Sequence, residues 1–196
     1  KVNLIKPFIF LFLTLNSFYL IACDVSKIEL FLNKNISFQV SYKQIFSDSS
    51  DPIIGSIYRD HSSLKVFSLS PKEELIINKK QMFRHDLEMD QLIIYSSKES
   101  IYQTPAFLLF NKPILICDFF SITNCSKESC QYSDPIDNFY IKKIKMDFVN
   151  HKIKKIVYED LFERISTIDL FKYEQLDKKV SFEPELADKT EKIFLN

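Results

Sequence analysis

Residues 36–46 alternate between apolar and polar side chains, and this alternation constrains the fold of the chain more than any other feature. Phe38, Val40 and Tyr42 fall on one side of the segment, and serine, glutamine and lysine side chains fall on the other. A period of two is typical of a β-strand with one face buried and one face in water. The segment therefore predicts a half-buried strand.

Many similar segments follow, separated by turn-forming residues. We predict strands at 53–60, 64–69, 74–77, 81–85, 89–95, 119–124, 131–133, 139–148, 152–158, 164–173 and 180–182. Regular spacing of this kind favours one large antiparallel sheet, strongly curved, or an incomplete barrel. Two short helices, an amphipathic one at 25–33 and an apolar one at 104–110, are left over to fill its concave face. The predicted fold is therefore mainly β with short α-helices.

The first 22 residues have the pattern of a cleavable secretion signal. Lys1 and Lys6 make a basic start, and the apolar runs 7–15 and 18–22 follow. The alternative is a permanent membrane anchor, but these runs are shorter than the roughly 20 apolar residues that a spanning helix needs. Residues 23–196 then suit a single domain, exported to the periplasm.

The signal segment ends in Leu20-Ile21-Ala22-Cys23, which matches a lipobox. In a lipobox the chain is cut before the cysteine, whose sulfur receives a diacylglycerol. Cys23 is thus a candidate lipidation site that would tether the protein to a membrane. The alternative is an ordinary signal-peptidase site near Ala22 or Cys23.

Charge and cysteine content narrow the possible partners. The formal net charge is zero, so a basic face for nucleic acid is not expected. Cys125 and Cys130 flank a predicted hairpin loop, and in an oxidising periplasm they are a candidate disulfide. The alternative is a set of reduced, partly buried thiols.

Catalytic and metal-binding patterns find little support in the sequence. His61, His85 and His151 are the only histidines, and each is expected at the surface or in a turn, away from a nucleophile or carboxylate pair. A single glycine, Gly55, excludes a glycine-rich phosphate loop. No cysteine and histidine spacing fits zinc. We therefore predict neither an enzyme nor a bound metal or cofactor.

Several motifs occur in an order that carries more information than any of them alone. Residues 26–44 are similar to an opening helix and a strand of the form S-F-x-x-S-F-x-Q, and 55–58 (GSIY) are similar to G-x-L-W. Residues 103–109 (QTPAFLL) are similar to a T-P-x-x-L-L lid helix. Residues 74–91 resemble an apolar strand, a turn and an aromatic strand, and VSFEP at 180–184 stands in place of F-x-F-x-P. Together these segments resemble the periplasmic outer-membrane lipoprotein carrier family, LolA.

The resemblance implies an incomplete barrel whose helical lid covers an apolar cavity for acyl chains. The candidate cavity and lid residues are Phe38, Val40, Tyr42, Ile57, Leu64, Val66, Leu92, Phe107, Leu108 and Leu109. Ile28, Phe31 and Leu32, which share one face of the predicted helix 25–33, would plug one end. The alternative is that all of these side chains form an ordinary core, because a lidded cavity and a core are lined by the same residue types.

One motif departs from the family. LolA proteins usually have Arg-Pro after the G-x-L-W strand, where the arginine helps to latch the lid. Here the residues are Arg59-Asp60-His61-Ser62, so Arg59 and His61 are both candidates for the latch.

The implied function is a monomeric periplasmic chaperone that carries lipoproteins from the inner to the outer membrane. Its partners would be the acyl chains of lipoproteins, an inner-membrane ABC-type lipoprotein-releasing complex and an outer-membrane acceptor. Two alternatives remain open: a membrane-anchored acceptor resembling LolB, or a lipoprotein that binds another lipid.

Overall fold

Twelve strands form one sheet in the part of the chain that the computed structural model describes, which is residues 24–78, 81–95, 104–110, 116–135, 139–177 and 179–195. The strands are β1 Ser37–Phe46, β2 Ile53–Asp60, β3 Ser63–Leu69, β4 Lys72–Ile77, β5 Met82–Asp86, β6 Gln91–Tyr95, β7 Phe120–Cys125, β8 Ser129–Pro135, β9 Ile141–Val149, β10 Lys152–Asp160, β11 Ile165–Glu174 and β12 Glu191–Leu195. The helices are α1 Ser26–Lys34, α2 Phe107–Phe110 and α3 Ile116–Phe119.

The spatial order of the strands is β12-β6-β5-β4-β3-β2-β1-β11-β10-β9-β8-β7. All neighbours are antiparallel except β12 and β6, which run parallel. The long connection between β6 and β7 joins opposite ends of this order, since β6 lies next to the edge strand β12 and β7 is the other edge. The sheet is large, curved and open, as the alternation predicted, and β7 and β12 remain as its edges.

The main core lies on the concave face, because the inward residues of each strand alternate with outward polar ones. Along β1 the buried positions are Phe38, Val40 and Tyr42, each at most 4% exposed. Alpha-helix α1 and the short helices α2 and α3 place their buried side chains in the same cluster. None of the helices in the described part of the chain has the length and hydrophobicity to cross a bilayer.

A second, smaller cluster lies on the opposite face of β4, β5 and β6. It contains Ile76, Phe83, Leu92 and Ile94, and Phe182 from the C-terminal segment packs against it. This placement corrects two predictions. Leu92 does not face the concave side, and residues 180–182, predicted as a strand, instead form an irregular stretch over this outer cluster.

Two hydrogen bonds to Asp90 hold the C-terminal segment beside the outer cluster. The Thr190 hydroxyl donates to the Asp90 carboxylate (2.8 Å), and the Glu191 N–H donates to the Asp90 carbonyl (3.1 Å). His85 is 2% exposed and lies 3.5 Å from Asp90. The prediction that every histidine lies at the surface or in a turn is therefore wrong for His85, which is buried on strand β5 next to Asp90.

Candidate functional site

The concave face holds an apolar cavity of about 180 Å³. Its walls come from one end of the six strands β1, β2, β3, β4, β10 and β11, together with α2 and the residues just before it. The lining residues are Tyr42, Gln44, Ile53, Ile57, Val66, Ser68, Glu73, Leu75, Thr104, Pro105, Ala106, Leu109, Ile156, Tyr158 and Ile168. An apolar cavity of about 150 Å³ is large enough for a benzene-sized molecule, so this one admits a short stretch of hydrocarbon.

The only glycine of the chain helps to make this cavity. Gly55 lies on β2 directly opposite Tyr42 on β1. A Cβ at Gly55 would lie 2.7 Å from the Tyr42 ring and would clash with the backbone carbonyl of Phe67 on β3. A residue without a side chain is therefore needed here so that the Tyr42 ring can lie against the sheet.

One side of the cavity is closed by residues 104–110, which we call the 104–110 segment. Thr104, Pro105, Ala106 and Leu109 line the cavity. A tight turn leads into α2, in which the Leu108 N–H donates to the Pro105 carbonyl (3.2 Å). Leu108 and Leu109 are 1% and 2% exposed. The segment thus lies on the concave face as an apolar cover.

The opposite end of the concave face is filled by α1. The Phe31 ring makes edge contacts with the rings of Phe38 (5.7 Å) and Tyr173 (6.4 Å). Ile28 and Phe31 are fully buried, and Leu32 is nearly so. These are the residues that the resemblance expects to plug one end, and α1 places all three in the main core.

Two polar groups stand in the wall formed by β1, β10 and β11. The Gln44 amide donates to the Tyr158 hydroxyl (3.1 Å) and to the Ser166 hydroxyl (2.8 Å). Burial raises the pKa of Tyr158 above its ordinary value, and the neighbouring Asp160 charge acts in the same direction, against the hydrogen bonds from Ser166 and Gln44. Tyr158 therefore presents a neutral hydroxyl to the cavity.

A carboxylate stands at the other wall. Glu73 on β4 receives two hydrogen bonds from Arg84 on β5, one from Nε (3.0 Å) and one from Nη2 (2.9 Å). Burial raises the pKa of Tyr42 to about 12, and the negative charge of Glu73 adds to this effect. Tyr42 and Tyr158 are thus both protonated. The cavity wall combines apolar surface with one carboxylate, that of Glu73.

Neither candidate latch reaches the 104–110 segment among the described contacts. The Arg59 guanidinium is buried and donates to the carbonyls of Asn35 (2.6 Å) and Ile36 (3.2 Å), just after α1. His61 is exposed and pairs with Asp60 (2.9 Å). The described contacts therefore do not support a latch on the 104–110 segment. Both residues lie beside the end of α1 instead, where the His61 backbone N–H also donates to the Ile36 carbonyl (3.0 Å).

The predicted cavity residues divide into three groups. Tyr42, Ile57, Val66 and Leu109 line the cavity. Phe38, Val40, Leu64 and Leu108 belong to the surrounding core, and Leu92 lies in the outer cluster. The side chain of Phe107 is outside the described part of the structure.

Several lining residues were not predicted. Ile156, Tyr158 and Ile168 occupy inward positions of β10 and β11, and the period-two pattern of those strands is the signal that could have identified them. Gln44, Ser68 and Glu73 share the inward side of their strands with Tyr42, Val66 and Leu75, but the prediction considered only apolar side chains for the cavity.

Cys125 and Cys130 are joined by a disulfide across the β7–β8 hairpin, where they are paired residues of the two strands. The signal-sequence prediction for residues 1–22 and the lipidation prediction for Cys23 lie outside the described residues.

An open antiparallel sheet curved around an apolar cavity, with a short helical segment against its concave side, defines a class of binding protein for apolar ligands. The family model of outer membrane lipoprotein carrier protein LolA matches residues 37–182. The chain therefore belongs to the LolA family. Its members are periplasmic binding or chaperone proteins rather than enzymes.

A solved structure with low sequence identity shows the same fold. An uncharacterised conserved protein from Thermus thermophilus superposes with a TM-score of 0.55 at 7% identity, covering 86% of this chain and 97% of that one. A LolA superfamily protein from Nitrosomonas europaea gives a TM-score of 0.45 at 12% identity, covering 80% and 95%. A sequence comparison with curated proteins gives no significant match.

Proposed function

We propose that this protein is a periplasmic chaperone that binds lipoprotein acyl chains in its concave cavity and carries them from the inner to the outer membrane. The observation that supports this most is the apolar cavity between the curved sheet and the 104–110 segment. An inner-membrane ABC-type releasing complex would load the cavity, and an outer-membrane acceptor would empty it. Within this proposal the chain acts as a monomer, without a metal or cofactor.

The energetics of acyl transfer favour a cavity of this kind. Each methylene removed from water contributes about 0.8 kcal/mol, so a dozen of them contribute on the order of 10 kcal/mol. A large, rigid and fully closed cavity would hold such cargo too tightly to release it. A small cavity that enlarges when the 104–110 segment moves offsets part of this energy with the cost of opening, and so permits release.

Filling the cavity provides the direct test. Ala106 lines the cavity and is 8% exposed, so Ala106→Phe places a ring where the acyl chain would lie. We expect at least a tenfold weaker affinity for a fluorescent C12 fatty acid, or about 1.4 kcal/mol, and loss of lipoprotein co-purification.

The matched control is Ala187→Phe, the same change at an exposed alanine of the C-terminal segment. Far-UV circular dichroism and urea unfolding would establish that both variants fold. If a folded Ala106→Phe variant binds the fatty acid and lipoproteins as tightly as the Ala187→Phe control, the cavity is not the binding site and the proposal fails.

A membrane-anchored acceptor is a second candidate, and the lipobox Leu20-Ile21-Ala22-Cys23 is the feature that favours it. An acceptor acts from one membrane and needs its anchor, whereas a carrier must cross the periplasm. The mass of the mature N-terminus distinguishes the two. Acyl mass on Cys23 would favour the anchored acceptor, and a bare polypeptide would favour the diffusible carrier.

A further inference from the structure

The cavity carries an uneven distribution of charge. Among the described lining residues, Glu73 is the only side chain with a carboxyl, amino or guanidinium group. The other polar groups are neutral amides and hydroxyls, from Gln44, Ser68, Thr104 and the two tyrosines. A cavity for plain hydrocarbon does not need a carboxylate in its wall, since burial of an unsatisfied charge costs free energy.

Only one of the two oxygens of the Glu73 carboxylate accepts hydrogen bonds from the described residues. Both hydrogen bonds from Arg84 end on the same oxygen, Oε2, at 3.0 and 2.9 Å. Within the described residues, Oε1 accepts no hydrogen bond. The Glu73 side chain is 30% exposed and the Arg84 side chain 54% exposed, so the pair lies at the mouth of the cavity with one carboxylate oxygen open.

The negative charge of Glu73 reaches into the cavity despite its pairing with Arg84. Tyr42 lies on the neighbouring wall, and its pKa is raised first by burial and then by the charge of Glu73. Arg84 is more than half exposed, so water screens its positive charge. Arg84 does not line the cavity. The mouth therefore presents one open carboxylate oxygen, Oε1 of Glu73, to the interior of the cavity.

We propose that Glu73 makes the cavity selective for acyl ligands whose polar end carries an ammonium group. This inference rests on the proposed function, in which the cavity holds an acyl chain. With the chain against Ile57, Val66 and Leu109, an ammonium group at the mouth donates to Oε1 of Glu73. An ammonium group has three donors and forms charge-assisted hydrogen bonds with carboxylates.

Two natural sources share this chemistry. One is the free amino terminus of a diacylated lipoprotein, and the other is the ethanolamine head of a phospholipid. A carboxylate or phosphate next to the chain, without an ammonium group, would approach the Glu73 charge and bind more weakly. The proposal therefore concerns the head of the ligand, whereas the proposed function concerns its tail.

Simple amphiphiles of equal chain length test the preference. Dodecylamine, dodecanol and dodecanoate, each below its micelle concentration, would displace a fluorescent C12 probe from the full mature protein at pH 7. We expect dodecylamine to bind about tenfold more tightly than dodecanoate, as one charge-assisted hydrogen bond allows. Glu73→Gln should bring the two affinities within about twofold of each other.

Two further variants separate recognition from stability. Glu88→Gln removes a carboxylate from the exposed β5–β6 turn and should leave the preference unchanged. Arg84→Gln frees both Glu73 oxygens and should increase the preference for the amine. If the Glu73–Arg84 pair served only to hold the sheet together, Glu73→Gln and Arg84→Gln would instead change all three affinities alike, and the proposal would be overturned.

The source of the ammonium group is tested with matched ligand pairs. A diacylglyceryl-cysteine peptide is compared with its N-acetylated form, and lysophosphatidylethanolamine with lysophosphatidylglycerol. A Glu73-dependent preference within either pair supports the proposal and identifies that source, and no preference in either pair overturns it. Equal binding of all three C12 ligands overturns the preference but leaves acyl binding intact. If no C12 ligand binds, the proposed function fails as well.

Discussion

Gly55 shows how much one residue can decide in this fold. It is the only glycine of the chain, yet it does not lie at a turn or adopt a left-handed conformation. Its importance is steric, because the Tyr42 ring and the Phe67 carbonyl approach it from the two neighbouring strands. The G-x-L-W pattern marks this position as glycine, and the close approach of Tyr42 and Phe67 explains why a side chain does not fit there.

We expect Gly55→Ala to destabilise the protein by about 1–3 kcal/mol, which is the usual cost of an added methyl group in a tightly packed core. The Tyr42 ring must shift into the cavity, so binding of a C12 probe should weaken as well. Urea unfolding and probe displacement measure the two effects. Ser56→Ala, at the neighbouring position that points to the outer face, is the control and should change neither.

Asp160 is a second residue whose environment decides its role. It is 3% exposed and caps the β10–β11 turn, where it accepts hydrogen bonds from the Phe162 N–H (2.8 Å) and from Arg164 Nε (2.8 Å). Tyr140 donates to the same carboxylate (3.2 Å). Burial opposes its ionisation, but the hydrogen bonds and the Arg164 charge outweigh burial and lower its pKa.

The lowered pKa predicts how stability depends on pH. A carboxylate whose pKa is lower in the folded state contributes stability above its unfolded pKa of about 4. That contribution is lost as pH falls through the lower folded pKa. We expect Asp160→Asn to cost about 2 kcal/mol at pH 7.

Below about pH 4 this difference should narrow, because wild type then loses the Asp160 contribution. Urea unfolding of both proteins from pH 7 to pH 2 measures the effect. A constant difference across this range would contradict the assignment of Asp160 as the ionised cap.

At the scale of elements, α1 is the part that closes one end of the sheet. Its buried face contacts Phe38 and Tyr173 from adjacent strands, and Arg59 holds the carbonyls that follow its last turn. A short helix has little intrinsic stability in water. Most of the stability of α1 therefore comes from this packing and from the hydrogen bonds of Arg59.

A pair of substitutions in α1 tests this account. Phe31 is fully buried and Leu30 is 39% exposed, although the two are neighbours on the same helix. We expect Phe31→Ala to lower the free energy of unfolding by about 3–5 kcal/mol and Leu30→Ala by less than about 1 kcal/mol. Equal costs in urea unfolding would show that α1 does not plug the core.

At the scale of the whole molecule, the region of β4, β5 and β6 carries a buried apolar cluster on each face of the sheet. The C-terminal segment covers the outer face of β4, β5 and β6 through Phe182 and then adds β12 beside β6. The family match ends at residue 182, so β12 lies beyond it. The apolar cavity lies on the other face of the sheet.

We therefore expect the two faces to respond independently. Phe182→Ala should cost about 1–2 kcal/mol in urea unfolding, because part of its ring leaves an apolar contact. Phe194 is 68% exposed, and Phe194→Ala is the control, with a change within about 0.5 kcal/mol. Neither variant should alter the affinity for a C12 probe. Weaker probe binding in Phe182→Ala would mean that the faces are coupled.

Most strands were predictable from the amino-acid order, whereas β12, its parallel pairing with β6 and the order of strands in the sheet were not. Alternation and turn-forming residues are local signals, and they identify β1, β2 and β3 to within a residue at each end. The same signals, with the family motifs, identify α1 and its buried face. The short helix α3 was missed, because four residues are too few to produce a helical period.

The face of the sheet on which each residue lies, and the segment that covers that residue, could be identified only from the folded structure. Strand β6 is apolar at consecutive positions, so alternation could not show that Leu92 points away from the cavity. Arg59 donates hydrogen bonds to carbonyls just after α1, and Glu73 lies at the mouth of the cavity. Both positions depend on neighbours that are distant in sequence. Periodicity is a property of neighbouring residues, whereas burial and charge at a site depend on which strands the sheet brings together.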